Sequence, residues 1–233
     1  MCGRYTLFAP PDELESRFDA TLGFEFEPRY NAAPGQQLPV IVDTDPGRIQ
    51  RLEWGLVPRW ADDDSGGHIN ARAETVTEKP AFAEAYRQRR CLVLADGFYE
   101  WADRGDGKRP YRVAFDDDRP FAMAGVWEQW TPETQQVGLD AFGDGATDGG
   151  DTEPLETFTV LTTEPNGVVE PLHHRMAVIL DADDEGAWLD GDSVSLSPAS
   201  GDNMRITPVS SAVNDPSNDR PGLIKPADTD RQR

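Results

Sequence analysis

The sequence contains few cysteines and histidines and has no long apolar run. Among its 233 residues are 2 cysteines, Cys2 and Cys91, and 3 histidines. Two cysteines do not form a disulfide framework, and the histidines and cysteines lack the spacing of a zinc site, so we expect no metal and no other cofactor. A stretch of about 18 apolar residues is absent, so no membrane-spanning helix is expected. The first residues lack the apolar segment of a signal peptide, which predicts a cytoplasmic protein.

Lysine is also rare. The 22 basic residues include only 3 lysines and therefore 19 arginines, against 43 acidic residues and a net charge of −21. An acid-rich and lysine-poor surface suits concentrated salt, where charge repulsion is screened, so we expect a halophilic source; the alternative is an acidic protein of ordinary salt. The charge as a whole argues against a nucleic-acid partner, so any DNA-binding prediction must depend on local residues.

Short strand-like runs outnumber helical segments. Helices are predicted over 11–19, over 77–90 with Thr77 as its N-cap, and over 181–190. Strand-like runs occupy 38–42, 48–54, 91–101, 110–115, 121–130, 157–162, 176–180 and 205–210. This pattern predicts an α+β fold with a mostly antiparallel, β-barrel-like core and a few peripheral helices.

One domain is expected over residues 1–225. The stretch 131–156 holds five glycines and seven acidic residues without lysine or arginine. Such a composition predicts a disordered acidic insertion in a hairpin. The polar end of the chain, 226–233, is expected to be a flexible tail.

Cys2 is the first candidate catalytic residue. Removal of Met1 would give it a free α-amine beside its thiol, and such a 1,2-aminothiol condenses with an aldehyde to a five-membered thiazolidine. The ordinary pKa values of the two groups, about 8 and about 8.5, lie close to neutral pH. The alternative is a cysteine that follows the initiator methionine by chance.

Glu100 is the second candidate. It follows an apolar run, and in a strand it would share a face with Phe98, while Tyr99 and Trp101 take the other face. With both faces buried, the carboxylate would be desolvated and its pKa raised, which suits a general acid or base. A carboxylate paired with an arginine in the core is the alternative.

His173 and His174 stand together before the strand-like run 176–180. Adjacent side chains of an extended segment point in opposite directions, so we expect only one of them to face the same pocket as Glu100. The third histidine, His68, is interpreted as a loop residue.

Trp60 ends a segment that runs into three aspartates. A tryptophan on a polar loop is a candidate stacking platform for a base, and a tryptophan that caps the core is the alternative. Several arginines close to these segments could contact phosphates: Arg4, Arg59, Arg72 and Arg175.

Six segments in order resemble the SOS-response-associated peptidase (SRAP) family, whose members process abasic sites. They are Met-Cys-Gly-Arg at 1–4, Tyr-Asn-Ala-Ala-Pro-Gly at 30–35, Trp-Gly-Leu-Val-Pro at 54–58, Ile-Asn-Ala-Arg-Ala-Glu at 69–74, Ala-Asp-Gly-Phe-Tyr-Glu-Trp at 95–101 and His-His-Arg-Met at 173–176. The resemblance covers nearly the whole chain except 131–156. Ala177 departs from it, because the family usually has proline there.

The resemblance implies a catalytic set. Cys2, once exposed by self-cleavage or by an aminopeptidase, would attack the ring-opened aldehyde of an abasic site in single-stranded DNA and form a thiazolidine crosslink. Asn70 would position the Cys2 end and the sugar, and Glu100 would shuttle protons. His173, which matches the family's His-x-Arg-Met-Pro pattern, would assist proton transfer and β-elimination.

The resemblance also implies a DNA-binding set in a monomer without membrane partners. Trp60 would stack near the lesion, and the phosphates would be held by Arg4, Asn31, Arg72 and Arg175. Two other functions remain open: a hydrolase with an N-terminal cysteine nucleophile that acts on amides or peptides, and a non-catalytic module that binds single-stranded DNA.

Overall fold

The computed structural model describes residues 2–64, 66–105, 107–132 and 153–227. Its strands are β1 (Tyr5–Leu7), β2 (Thr21–Leu22), β3 (Arg29–Ala32), β4 (Gln37–Val42), β5 (Arg48–Trp54), β6 (Asn70–Arg72), β7 (Arg90–Ala95), β8 (Gly97–Asp103), β9 (Lys108–Phe115), β10 (Phe121–Trp130), β11 (Leu155–Thr163), β12 (Met176–Ala177) and β13 (Met204–Pro208). The α-helices are α1 (Pro11–Phe18), α2 (Ala83–Gln88) and α3 (Glu185–Leu189), and 3-10 turns cover Ala182–Asp184, Ser211–Asn214 and Pro221–Ile224.

The strands form two sheets. One has the order β13-β9-β8-β1-β3, and the other has the order β12-β11-β10-β7-β4-β5-β2, with β6 beside β11. In the second sheet β11 also pairs in parallel with β5 at Glu53 and Trp54, so strands β11, β10, β7, β4 and β5 close into a ring. The other pairings of this ring are antiparallel. The predicted α+β fold with a mostly antiparallel, barrel-like core is confirmed.

The core lies where the two sheets meet. The Trp54 indole packs against Tyr5 of the first sheet, with ring centroids 5.2 Å apart, and against Phe158 of the second at 6.3 Å. All three side chains are buried. Because Tyr5 belongs to the strand that follows Cys2, this contact fixes the amino-terminal segment against the ring of strands.

The second predicted helix begins later than expected. Residues 73–78 form turns, the Lys79 N–H that follows them donates to Thr75 O, and α2 begins only at Ala83, so Thr77 is not its N-cap. The physical reason is Pro80, whose ring disfavours helical geometry at the residue before it. The first helix is confirmed, and the third consists of a 3-10 turn followed by α3.

The predicted run 91–101 is two strands that separate at Asp96. The Asp96 carboxylate accepts hydrogen bonds from the Thr6 hydroxyl at 2.5 Å and from the backbone N–H of Ala9 at 3.1 Å. The Arg112 guanidinium lies 3.3 Å away. This buried carboxylate therefore ties β1, which follows Cys2, to the start of β8, which carries Glu100.

Most of the predicted insertion 131–156 and of the predicted tail 226–233 lies outside the described residues. β11 begins at Leu155, which pairs with Trp130 of β10, so the last two residues of the expected insertion belong to a strand. Within the described ranges no helix is long and apolar enough to cross a bilayer.

Candidate active site

Cys2 is brought beside Glu100 by the pairing of β1 with β8. Tyr5 pairs with Phe98, and the Tyr99 N–H donates to Arg4 O at 2.9 Å. The antiparallel register therefore carries the residues before Arg4 along the strand that contains Glu100. Residues that are 98 positions apart in the sequence become neighbours through backbone pairing.

The Cys2 thiol is fully buried and protonated at neutral pH. Burial is the main reason why the pKa of Cys2 rises to about 12, and the neighbouring Glu100 carboxylate raises it further. The side-chain amide of Asn70 donates a 2.8 Å hydrogen bond to Cys2 O. Asn70 begins β6, whose register with Val160 of β11 fixes its place. The structure thus brings Cys2, Asn70 and Glu100 together.

Glu100 is a buried carboxylate with a perturbed pKa. It is 1% exposed, and burial raises its pKa to about 7. Burial is the largest cause of this shift, so the predicted desolvation and raised pKa of Glu100 are confirmed, and its role as an acid or base stays a prediction. A carboxyl group with a pKa near neutral pH can both accept and donate a proton under working conditions.

His173 and His174 do not point in opposite directions. Their rings stack with centroids 4.3 Å apart, because they follow a turn at 167–172 and are not in an extended segment, so that expectation is wrong. Burial lowers the pKa of His173, which keeps its ring neutral at pH 7. Nδ1 of His173 lies 3.0 Å from the Arg175 backbone N and 3.1 Å from Arg175 O, so the Arg175 backbone holds this nitrogen in either tautomer of the neutral ring.

A groove of about 630 Å³ adjoins Asn70. Its lining combines aromatic and basic side chains: Trp60, His68, Arg72, Lys79 and Phe82. Phe82 is packed edge-on against His68, with ring centroids 5.1 Å apart. His68, which also bridges to Leu56, is therefore part of a groove wall, and sequence reasoning missed this groove.

Trp60 is exposed at the edge of this groove. Its relative exposure is 64%, so it does not cap the core. Arg72 is exposed as well and lies at the end of β6, two residues after Asn70. An exposed aromatic ring and an exposed cation that line one groove can bind a stacked base and its phosphate.

Arg4 and Asn31 are occupied by the carboxy-terminal part of the chain. The Arg4 guanidinium donates to Asn31 Oδ1 at 3.0 Å and to Val213 O at 2.9 Å. The buried Asn31 amide donates to the backbone oxygens of Val213, Asp215 and Asn218. The prediction that these two side chains contact DNA stays a prediction, and their observed partners are protein groups.

Arg175 and Arg59 also have carboxylate partners. Arg175 donates two hydrogen bonds to Glu74, at 2.6 and 2.9 Å, which lower the pKa of Glu74. Arg59 lies 3.1 Å from Glu84 and 3.5 Å from Glu128. A phosphate contact by either arginine would therefore replace a carboxylate. These contacts join residues far apart in the sequence, and no local signal reveals them.

The described residues include no cluster of three or more histidine, cysteine or acidic side chains that could hold a metal ion.

Comparison with known proteins places this arrangement in a family. The family model described as SOS response associated peptidase (SRAP) matches residues 1–216. The chain is 39% identical over 239 residues to the abasic site processing protein YoaM of Bacillus subtilis, covering 96% of this chain and 97% of that one. It is 32% identical over 240 residues to the abasic site processing protein HMCES of Gallus gallus, covering 86% of this chain and 67% of the relative.

The fold has solved counterparts. A crystal structure of a protein from Bacteroides thetaiotaomicron superposes with a TM-score of 0.79 at 25% sequence identity, over 97% of this chain and 100% of that chain. The match of the family model to most of the chain, together with these relatives, shows that the protein belongs to the SOS response associated peptidase (SRAP) family.

Proposed function

We propose that this protein processes abasic sites in single-stranded DNA by forming a covalent crosslink through Cys2. The observation that carries the proposal is the buried pair of Cys2 and Glu100, in which Cys2 O accepts from the amide of Asn70, a residue that lines a groove with an exposed tryptophan and arginine. The curated relatives named abasic site processing proteins support the same conclusion.

The crosslink forms in two steps. After Met1 has been removed, the α-amine of Cys2 adds to the aldehyde carbon of the ring-opened sugar and water leaves, which gives an imine. The Cys2 sulfur then adds to the imine carbon, and the thiol proton passes to the nitrogen, which closes the thiazolidine. Burial raises the pKa of the Cys2 thiol to about 12 while Met1 is attached. A thiol that stays buried after Met1 is removed needs a base for this step. Glu100, with a pKa of about 7, is that base when it is ionised.

The other residues position the lesion. Asn70 holds the Cys2 backbone and lines the groove, so it can orient both the nucleophile and the sugar. His173, neutral at pH 7, accepts a proton at the deoxyribose and supports strand cleavage by β-elimination. Trp60 stacks on a base beside the lesion, and Arg72 holds a phosphate. Arg4, Asn31 and Arg175 contact phosphates of the bound strand.

Two other functions make different predictions. A hydrolase with an N-terminal cysteine would cleave amides or peptides, and the groove with Trp60 and Arg72 would then have no role. A non-catalytic module for single-stranded DNA would retain its activity without Cys2 and Glu100. The raised pKa of Glu100 favours a reaction over plain binding, because buried ionisable groups with such pKa values are concentrated at active sites.

The deciding experiment mixes the purified protein with single-stranded DNA that contains one abasic site. We expect a covalent band on a denaturing gel, and an intact mass that equals DNA plus protein without Met1 and minus one water. The same strand without the abasic site is the control. A protein that binds both strands equally and gives no covalent band would contradict the proposal.

Salt should increase the yield of the crosslink. A net charge of −21 repels DNA as a whole, while few cations make close contacts. The Debye length falls from about 10 Å at 0.1 M to about 3 Å at 1 M, so salt weakens distant repulsion more than it weakens close contacts. Stacking on Trp60 is insensitive to screening.

We therefore expect the adduct yield to rise with KCl from about 0.1 M into the molar range, opposite to a basic DNA-binding protein, whose affinity falls with salt. The measurement is a gel titration with circular dichroism at each point. A steady fall in yield while the protein stays folded would refute this expectation and the halophilic source. The proposal also includes that the protein works as a monomer in the cytoplasm.

The two histidines should differ in effect. His173→Ala should slow adduct formation or strand cleavage by at least about 10²-fold, because proton transfer by a positioned side chain typically contributes about 10²–10⁴-fold. His174→Ala should stay within a few-fold of the wild type, because it removes only a stacked neighbour. Single-turnover rates on abasic DNA measure both variants. Severe loss at His174 with none at His173 would assign the proton transfer to the other ring.

A further inference from the structure

A second groove, on the surface of β5, carries two arginines that form no ion pair with any described carboxylate. It encloses about 420 Å³ and is lined by Gly23, Phe24, Gln37, Arg48, Gln50 and Arg51. Eight arginines of this acidic chain form ion pairs with described carboxylates: Arg17, Arg29, Arg59, Arg89, Arg112, Arg119, Arg175 and Arg205. Arg48 and Arg51 are not among them, although both are exposed.

Both guanidinium groups are held in place. The Arg51 guanidinium lies over the Phe24 ring, 4.6 Å from its centroid. The Arg48 guanidinium packs on Gly23, where an added Cβ would overlap it. A cation that is already ordered loses less conformational entropy when it binds an anion, so this arrangement favours binding.

The groove lies at a gap in the edge of the sheet. β2 pairs with β5 only at Arg48 and Ile49, and β11 pairs with it only at Glu53 and Trp54. Among the described strands, residues 50–52 therefore pair with β4 alone. An uncovered sheet edge beside cations is a concavity suited to anions. Three residues are too few for an added peptide strand, since alternate residues supply the ladder bonds.

The groove is near enough to the reaction site to contact the same DNA strand. The Trp54 indole donates to Ile69 O at 2.8 Å, next to Asn70. Arg51 and Arg48 lie three and six residues earlier on β5, which at about 3.3 Å per residue corresponds to about 10–20 Å. Single-strand binding sites of about 4–16 nucleotides span such distances.

We infer that the Arg48–Arg51 groove binds the phosphate backbone of single-stranded DNA outside the lesion. This inference rests on the proposed function for the identity of the ligand. The two arginines contact phosphates, and the amides of Gln37 and Gln50 donate hydrogen bonds to the same strand. The groove extends the binding site, so its contribution depends on the length of the strand.

The test uses Arg48→Gln/Arg51→Gln, and the matched control is Arg87→Gln/Arg104→Gln, which changes the net charge equally at exposed sites elsewhere. Fluorescence anisotropy measures the Kd for intact strands of about 4 and about 16 nucleotides without an abasic site, the two ends of a typical single-strand site. We expect the groove variant to bind the long strand about 10-fold more weakly, with a salt slope lower by about 1. Its affinity for the short strand and the control variant's affinities should match the wild type.

Gly23→Ala separates position from charge. It keeps both arginines but displaces the exposed Arg48 guanidinium from its position on Gly23, a side-chain shift that does not unfold the chain. We expect it to weaken binding of the long strand several-fold. The opposite result is that Gly23→Ala binds the long strand as the wild type does while Arg48→Gln/Arg51→Gln binds it more weakly. In that case the position of the Arg48 guanidinium does not matter, and the inference of a preformed Arg48–Arg51 groove is refuted.

Other outcomes also overturn the inference. Equal binding of the long strand by the groove variant and the wild type would show that the groove does not contact DNA. If the groove variant binds the short and the long strand equally more weakly than the wild type does, the substitutions act at the reaction site and not at a separate groove. Groove-dependent binding of polyglutamate, with DNA binding unchanged, would assign the groove to an acidic protein. Since these strands contain no lesion, the result is independent of crosslinking, whose absence in the wild type would instead refute the proposed function.

Discussion

Cys2→Ala should abolish the borohydride-independent crosslink to abasic DNA. Without the sulfur the thiazolidine ring cannot close, and the α-amine alone gives at most an imine that returns to aldehyde and amine. The fold should survive, because removal of one small buried group costs about 1 kcal/mol. The measurement compares covalent bands with and without borohydride, and thermal unfolding monitors the fold.

Two further variants sharpen this prediction. Cys2→Ser keeps an α-amine beside a hydroxyl, which is a much weaker nucleophile, so it should give an adduct that is stable only after borohydride treatment. Cys91→Ala is the matched control, because Cys91 is also a fully buried free cysteine. It should crosslink like the wild type. A full, borohydride-independent adduct from Cys2→Ala, or its loss in Cys91→Ala, would contradict the thiazolidine mechanism.

The sequence predicts the long strands better than the short ones. Strands such as β5 and β10 are seven and ten residues long, which is enough for their apolar positions to give a clear pattern. β1 and β6 have three residues each and give none. These two short strands hold Cys2 and Asn70 in place, so the part of the fold that builds the site is the part with the weakest local signal.

The sequence predicts the burial of a candidate site residue, but it does not predict which distant residues contact it. The burial and raised pKa of Glu100 follow from apolar neighbours within its own strand, which a sequence displays. The contacts of Asn31 with Val213 and Asp215 join residues 182 and 184 positions apart, and the ion pair of Arg175 with Glu74 spans 101. Such partners depend on the closed sheet and the docking of the carboxy-terminal turns, which periodicity does not reveal.

Glu100→Gln should slow adduct formation, reversal or both by about 10²–10⁴-fold, because glutamine has nearly the same shape but cannot exchange a proton. The wild-type rate at low pH should fall as Glu100 becomes protonated, with an inflection near its pKa of about 7. The variant should lack this inflection. Single-turnover rates between pH 5.5 and about 8.5, a window around that pKa, measure the effect.

The same substitution should stabilise the fold at high pH. The pKa of Glu100 is raised from 4.5 to about 7 by burial, so its ionisation in the folded protein is unfavourable. Its contribution to stability is complete below pH 4.5 and is lost as the pH rises to about 7. At about 1.4 kcal/mol per pKa unit, Glu100→Gln should gain up to about 3 kcal/mol above pH 7 and almost nothing below pH 4.5.

Glu128→Gln is the matched control, because Glu128 is also a buried carboxylate but lies 3.0 Å from the Arg89 guanidinium. Neutralising it leaves the buried Arg89 with only the partly exposed Glu84, 3.4 Å away, so this variant should lose up to about 3 kcal/mol of stability and keep the wild-type crosslinking rate. Denaturant unfolding across the pH range measures both variants. If Glu100→Gln is as fast as the wild type, or if it destabilises the fold at pH 8 as Glu128→Gln does, Glu100 is a structural carboxylate and not the proton shuttle.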